Sequence, residues 1–302
     1  MTIVVAGSAN VDFILRVARL PQPNQTITGH DMAVAIGGKG LNQAVACARL
    51  GAVTKMVAAV GEDSFAGQAM AYLKTNGVDT SHVTALAGVA TGVANIFVAE
   101  DGQNMIVVTP GANARLTPEM IDAARPAIAE ARVLIVQLET PLDAVRRALE
   151  VARRHDVMTV LNPAPVQAGA LALFALADLV TPNETELAAL TGIGGQDDAS
   201  LTRALQAVID AGARQAVVTL GAQGSATLIE GKLVRVPAFP VKAVDATGAG
   251  DHFNGALVSR LVLGDDLPAA LRYASAASAL SVTKPSADSA ATTAEVEAFL
   301  NR

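Results

Sequence analysis

Val244-Asp245-Ala246-Thr247-Gly248-Ala249-Gly250-Asp251-His252-Phe253-Asn254-Gly255 is the stretch on which the reading of this chain turns. Small residues crowd positions 246–250, and an apolar run, Ala256-Leu257-Val258, follows. A bare backbone entering a helix leaves N–H groups without intrahelical partners, and the helix field adds to their pull on an anion. Thr247 to Asp251, with Gly248, Ala249 and Gly250 between them, are therefore expected to cradle a phosphate and to stabilise charge that builds during its transfer. Asp251 falls in the first helical turn, where the positive helix end stabilises a carboxylate. Beside an anion site such a group can take a proton from an attacking hydroxyl. The same residue also suits a plain helix cap, and Asp245 a turn cap. The glycine spacing is not a dinucleotide fingerprint, because Phe253 stands where a third glycine is needed, and no Gly-x4-Gly-Lys-Ser/Thr loop occurs.

Further segments carry the same kind of signal. In Gly37-Gly38-Lys39-Gly40-Leu41-Asn42-Gln43-Ala44 the glycines allow close approach of a ligand, and Lys39 and Asn42 add polar groups at a helix start. Ser8-Ala9-Asn10-Val11-Asp12 follows an apolar strand, and in open α/β sheets ligands bind beyond the carboxyl ends of strands. Asn10 and Asp12 together can hold a polyol. Gln137-Leu138-Glu139-Thr140 puts Glu139 at another strand tip, and Thr181-Pro182-Asn183-Glu184-Thr185-Glu186 does the same for Asn183 and Glu186. Thr219-Leu220-Gly221-Ala222-Gln223-Gly224 joins two strands by a glycine turn suited to covering an adenine or a phosphate. Each segment alone is an ordinary turn or cap; their agreement on one edge of one sheet is the argument.

Around these segments, short β-branched runs alternate with alanine-rich amphipathic stretches, the pattern of a mostly parallel sheet with helices on both faces. Strands are expected at about 3–7, 55–60, 133–137, 158–161, 179–181 and 216–220. Helices are expected at about 40–50, 64–77, 117–130, 141–154, 184–191 and 198–211, then a hairpin near 215–236 and two or three closing helices. Thr117-Pro118 and Thr140-Pro141 read as N-caps followed by proline at the first helical position. Residues 11–36 and 89–109 instead read as strands with no helix between them, the second with a turn at Glu100-Asp101-Gly102-Gln103. Such strands form a small accessory sheet, and beside a cleft its use is a lid. The whole of residues 1–302 is read as one domain.

Of 302 residues, 51% are apolar and 17% charged, so a large core is available. Scarce aromatics and abundant alanine suit helix-on-sheet layers. A net charge of −6 without basic runs argues against nucleic acid as a partner. The start, Met-Thr-Ile-Val-Val-Ala-Gly, reads as a strand and not a signal peptide. No apolar run has the length of a membrane helix. Cys47 is alone, which excludes a disulfide framework, and the histidines (30, 82, 155 and 252) lack metal-ligand spacing. A cytoplasmic protein that meets neither membrane nor nucleic acid is expected.

Together these motifs resemble the ribokinase-like carbohydrate kinase family over essentially the whole chain. The signatures are Gly37-Gly38-Lys39-Gly40-Leu41-Asn42-Gln43-Ala44 and Asp245-Ala-Thr-Gly-Ala-Gly-Asp251-His-Phe-Asn-Gly255, supported by Leu161-Asn162-Pro163-Ala164-Pro165 and the Asn183 segment. The resemblance implies a three-layer α/β/α fold with a mostly parallel central sheet and a small β-sheet lid. It implies transfer of the γ-phosphate of ATP to a primary hydroxyl, giving ribose 5-phosphate if ribose is the acceptor. Other acceptors in the family are 2-deoxyribose, ketose derivatives and nucleosides; a non-catalytic sugar-binding regulator is the remaining alternative. By the same resemblance Asn10, Asp12, Gly38, Lys39, Gly40, Asn42 and Glu139 contact the sugar. Asp251 is the base, and the backbone of Ala249, Gly250 and Asp251 the anion hole. Asn183, Ser275 and the turn Thr219, Leu220, Gly221, Ala222, Gln223, Gly224 lie by the nucleotide. Mg²⁺ accompanies ATP, with Glu186 acting on it through water, and subunits pair through their lids as a homodimer.

The resemblance also implies a monovalent cation, K⁺, held by oxygens of Asp245, Thr247, Ser281, Lys284, Ser286 and Ala290. Here the chain departs from the family's pattern. Ser286 replaces a glycine, and Ala290 replaces a serine whose hydroxyl is a ligand, though Ser289 adjoins it. Leu41 stands where alanine is usual and His252 where threonine is common, so both are positions at which the pocket can differ.

Overall fold

The computed structural model describes residues 1–101, 103–195, 197–284 and 289–302. In chain order the elements are β1 (Thr2–Ala6), β2 (Asn10–Val17), β3 (Gly29–Gly37), α1 (Lys39–Arg49), β4 (Val53–Gly61), α2 (Ser64–Thr75), β5 (Val78–Leu86), β6 (Gly92–Ala99) and β7 (Asn104–Thr109). Then come α3 (Pro118–Ala123), α4 (Arg125–Ala129), β8 (Val133–Val136), α5 (Leu142–Arg154), β9 (Met158–Leu161), β10 (Leu179–Val180), α6 (Glu184–Thr191) and α7 (Asp198–Asp210). The chain ends with β11 (Gln215–Thr219), β12 (Ser225–Ile229), β13 (Lys232–Val236), α8 (Ala249–Leu263), α9 (Leu267–Ser281) and α10 (Thr293–Leu300).

A nine-stranded sheet runs β13-β12-β11-β10-β9-β8-β1-β4-β5, parallel from β5 to β11, with β12 and β13 antiparallel at one edge. Its central strands are buried on both faces, and the period-2 alternation sorts their side chains into two cores. Val4, Ala6, Leu134 and Val136 pack with α3, α4, α5 and α7, while Ile3, Val5, Val133 and Ile135 pack with α1, α2, α8 and α9. This is the expected α/β/α sandwich. The accessory strands form a second sheet in the order β3-β2-β6-β7, with β2 and β6 parallel. β2 leaves the end of β1 directly and β3 returns into α1, so this sheet grows out of the carboxyl edge of the main one.

Some local expectations need correction. Residues 117–130 form two short helices, because Pro126 has no N–H to continue the first across Ala124. Thr117 does cap α3, its hydroxyl accepting from Met120 N. Thr140 does not cap α5: Pro141 is the N-cap residue with an extended ψ of 137°, and the Thr140 hydroxyl is buried without a partner among the described residues. Strand β5 falls where no strand was expected. Gly102, in the anticipated turn of the accessory sheet, lies outside the described residues.

Candidate active site

Helix α8 begins as the opening motif requires. Gly248 is its N-cap in the left-handed conformation (φ 74°), which only glycine adopts without strain, and Asp251 sits in the first turn. The expected set of three backbone donors is reduced to two. Ala249 N–H closes a turn onto Ala246 O at 3.2 Å, whereas Gly250 and Asp251 N–H have no protein acceptor among the described residues. Asp251 is buried, 6% exposed, and both its oxygens are held from α1: Oδ1 accepts from Gln43 Nε2 at 2.9 Å and Oδ2 from Asn42 Nδ2 at 3.1 Å. Asn42, expected on the sugar, thus has its amide on the carboxylate.

The expected sugar side assembles where β1, β2 and α1 meet. Glu139 Oε2 accepts from the Ser8 hydroxyl at 2.5 Å and from Lys39 N at 3.0 Å, so the carboxylate also pins the glycine segment to the end of β1. Asn10 is buried, and its Oδ1 accepts from Asn113 Nδ2 at 2.7 Å. Asn113, which the sequence reading passed over, also bonds both the N–H and the carbonyl of Ala9 and so straps the crossing into β2. Asp12 is half-buried with carboxylates nearby; burial, then Glu139, then Asp251 push its carboxyl up to about 7. Burial would lower the Lys39 ammonium, but Asp251, Glu139 and Glu186 outweigh it and hold it above its ordinary range. Gly38 carries φ 93° against the backbone of Ala9 and Asn10. Gly40 is buried against Gly7 and Ser8, just past β1, where a Cβ would meet Ser8 N at 2.6 Å, so close packing requires glycine there. Leu41 is likewise wholly buried in the core and does not shape the pocket.

The expected nucleotide side is a pair of joined cavities. The larger, about 530 Å³, is walled by Phe239, Val241, Phe253 and Val282, with Gly221, Ala222 and Gly224 of the glycine turn at one edge. Ser275 lines it too, and its buried hydroxyl has no partner among the described residues. The smaller, about 140 Å³, is polar and holds Lys39, Asn183, Glu186, Asp251 and Asn254. Both are lined by Thr219, Ala246, Ala249 and Gly250, so they meet at the start of α8. Of the same turn, Leu220 packs in the core, and Gln223 is exposed and lines neither cavity. Asn183 and Glu186 form a reciprocal capping box at α6, Glu186 N to Asn183 Oδ1 at 2.8 Å and Asn183 N to Glu186 Oε2 at 2.9 Å. Burial raises the Glu186 carboxyl in spite of that bond.

At the expected cation corner the two halves of the donor set do meet, since Val244 and Asp245 N–H both donate to Val282 O near Ser281 and Lys284. The far end does not fit. The Ala290 carbonyl, its only oxygen, already accepts from the Arg49 guanidinium at 2.8 Å, which disfavours a second cation there. The neighbouring Ser289 hydroxyl stands 2.7 Å from His252 Nε2. Ser281 donates to Ser278 O, Asp245 Oδ1 accepts from Thr247 N, and Lys284 pairs with Glu295. Ser286 lies outside the described residues. Burial, then Arg49 and Lys284, lower the His252 imidazole to about 4, so it is neutral near pH 7.

Three comparisons place this geometry among known proteins. A family model described as "pfkB family carbohydrate kinase" matches residues 1–294. A ribokinase of Haemophilus influenzae is 40% identical over 288 residues, 95% of this chain and 94% of that protein. A deoxyribokinase of Salmonella typhi is 36% identical, covering 94% and 93%. The structure of Arabidopsis thaliana ribokinase complexed with ribose and ATP superposes with a TM-score of 0.93 at 32% identity, over 99% of this chain and 98% of that one.

Proposed function

The chain belongs to the pfkB family of carbohydrate kinases, and from that premise we propose that it moves the γ-phosphoryl group of ATP onto the primary hydroxyl of D-ribose, giving D-ribose 5-phosphate, with Asp251 as the base. One observation carries this reading: an apolar cavity sized for a nucleoside opens, at the start of α8, into a polar one that holds Asp251 and Lys39. Phosphoryl transfer asks for alignment and charge neutralisation more than for covalent chemistry. Asp251 accepts the proton of the attacking hydroxyl. Gly250 and Asp251 N–H face the phosphoryl oxygens with the helix field behind them. Lys39 adds a fixed positive charge. Asn10, Asp12 and Glu139 hold the sugar hydroxyls.

Magnesium fits the smaller cavity. Its walls supply oxygens without a committed donor, the Asn254 Oδ1 and Thr181 Oγ1 atoms, beside the Glu186 carboxylate, and hard oxygens suit this ion. Among the described residues no group of three or more His, Cys, Asp or Glu could hold a metal by itself; the ion would be held together with the ATP phosphates, with Glu186 acting through water. When bound it neutralises charge on the phosphates. The β3-β2-β6-β7 sheet is the lid in this reading, excluding water and so suppressing ATP hydrolysis. Its edge strands expose Met32, Val34, Met105, Ile106, Val107 and Val108, an apolar surface that supports pairing of two copies as a homodimer. No helix among the described residues is long and apolar enough to cross a membrane, and a cytoplasmic site of action completes the proposal.

The test is ADP release, by coupled assay, across ribose, 2-deoxyribose, fructose and a set of nucleosides. Ribose should give the highest kcat/KM. Higher turnover of 2-deoxyribose would move the assignment to the deoxy sugar, and no turnover of any acceptor would leave a sugar-binding regulator.

A further inference from the structure

Behind Asp251 lies a chain of buried side-chain amides that none of the roles above uses. Gln43 of α1 is wholly buried. One of its Nε2 hydrogens goes to Asp251 Oδ1 at 2.9 Å, and the other to Asn162 Oδ1 at 3.1 Å. Its Oε1 accepts from Gln137 Nε2 at 2.6 Å. Asn162, just past β9, donates its own Nδ2 to the Thr181 carbonyl at 2.9 Å.

The direction of this chain is forced. A backbone carbonyl only accepts, so the amide nitrogen of Asn162 must face Thr181, and its oxygen must face Gln43. Gln43 must then turn its nitrogen toward Asn162 and Asp251 and its oxygen toward Gln137. Neither end of the Gln43 side chain can be exchanged without breaking a buried bond. A fixed donor on Asp251 Oδ1 therefore follows from the Thr181 carbonyl just past β10. Room for Gln137 comes from Gly7, where a Cβ would lie 2.0 Å from Gln137 Oε1. Gln137 Oε1 has no hydrogen-bond partner among the described residues, and the chain of amides ends on the Asp251 carboxylate.

We infer that Gln43 is a positioning residue for phosphoryl transfer: with Gln137 and Asn162 behind it, it clamps Asp251 through Oδ1, while Asn42 holds Oδ2, and so fixes the carboxylate at the polar cavity. This rests on the reading of Asp251 as the base. The charged groups that face Asp251 are Lys39 from α1, Glu186 from α6 and Asp12 from β2. All three are unchanged in the variants below, so none of them accounts for a difference.

The experiment compares wild type, Gln43→Glu and Asp251→Asn, measuring kcat and both KM values with ribose and ATP from pH 5 to 9. Glutamate at 43 sets a second carboxylate against Asp251, and two acids sharing a site hold a proton to higher pH. The acid limb of the kcat profile should rise by about one unit or more, with kcat at neutral pH down at least about 10-fold and both KM values within about threefold. An unmoved limb with kcat within about twofold of wild type overturns the inference. A fall in thermal stability alone, with the limb in place, also overturns it, since that is what mere packing would give. If Asp251→Asn keeps its activity, the base reading itself has failed; if it is inactive while Gln43→Glu keeps the wild-type profile, only the clamp has. Should Gln43→Glu not fold, the wild-type Gln43 side-chain amide is followed by ¹⁵N NMR. Resonances that titrate with the acid limb, and cease to do so in Asp251→Asn, support the clamp; resonances indifferent to pH overturn it.

Discussion

Asn42 Nδ2 and Asp251 Oδ2 lie 3.1 Å apart across 209 residues of chain, and this bond ties the start of α1 to the start of α8. One helix carries the glycine segment and the other the phosphate-facing turn, so the pair brings acceptor and phosphoryl group to a common point. Asp251→Ala removes the proton acceptor while leaving Asn10, Asp12 and Glu139 in place. We expect kcat to fall by at least about 100-fold, with the ribose Kd within about fivefold. Steady-state kinetics and calorimetric titration of ribose read the two quantities separately. A near-normal kcat would remove Asp251 from the base role.

The α1–α8 contact also depends on Gly255. A Cβ there would lie 2.5 Å from the Ala46 Cβ, with Gln43 O and Cys47 N at 3.1 and 3.2 Å. Neither methyl can rotate away, so the helices themselves must part. Gly255→Ala should cost about 1–3 kcal/mol of stability, the usual range for overpacking a close contact. Urea unfolding of the two proteins measures it. A loss under a few tenths would mean that the helices separate freely.

What the sequence revealed and what it hid divide along a physical line. Gly248, Gly38 and the Asp251 turn were legible because special backbone geometry and a helix start leave local marks. The layers were legible because Ile3/Val5 and Val4/Ala6 alternate with the strand period. Gln43, Gln137, Asn162 and Asn113 were not, because an amide carries no record of a partner 94 to 119 residues away. The Thr140-Pro141 cap failed for a local reason. Pro141 itself takes the extended N-cap conformation, which moves the first turn on by one residue. Strand β5, Val78-Asp-Thr-Ser-His-Val-Thr-Ala-Leu86, lies at an edge and is largely exposed, so its polar residues masked it. A helix start predicts free N–H groups, but the tight turn onto Ala246 uses the one on Ala249.

Asp12 makes the ligand-free protein sensitive to pH. Its carboxyl ordinarily titrates near 3.8 and is pushed up to about 7 in the fold. Between these values the native state holds a proton that the unfolded chain has released, so stability falls as pH rises through the window. His252 acts oppositely, lowered from 6.5 to about 4, so its contribution is lost as pH falls from 6.5. The two slopes offset each other in wild type, and only a difference isolates either. The stability of Asp12→Asn relative to wild type should therefore grow as pH rises from about 4 to about 7. Urea unfolding at several pH values, without sugar, tests this; a pH-independent difference would place the Asp12 carboxyl in its ordinary range. The same variant should raise the ribose KM, because an acceptor for sugar hydroxyls is lost.

Strand β7 gives the means of testing the proposed dimer. It is an edge strand with every residue exposed, and Ile106 and Val108 are 53% and 45% exposed. An uncovered apolar edge is a liability that proteins blunt with charge or cover with a partner, and the apolar residues along β7 carry no such charge. Replacing Ile106 and Val108 by lysine puts two like charges on the edge of each copy, where pairing would bring them together. Since neither side chain belongs to a core cluster, the fold should survive the change. Sedimentation equilibrium of wild type should give twice the mass of the chain, and of the double variant the mass of one. Ribose KM should rise in the variant if pairing steadies the lid over the sugar. Wild-type protein that sediments as a single chain at assay concentration would sink the dimer, and the apolar edge would then have to be covered by the lid's closure alone.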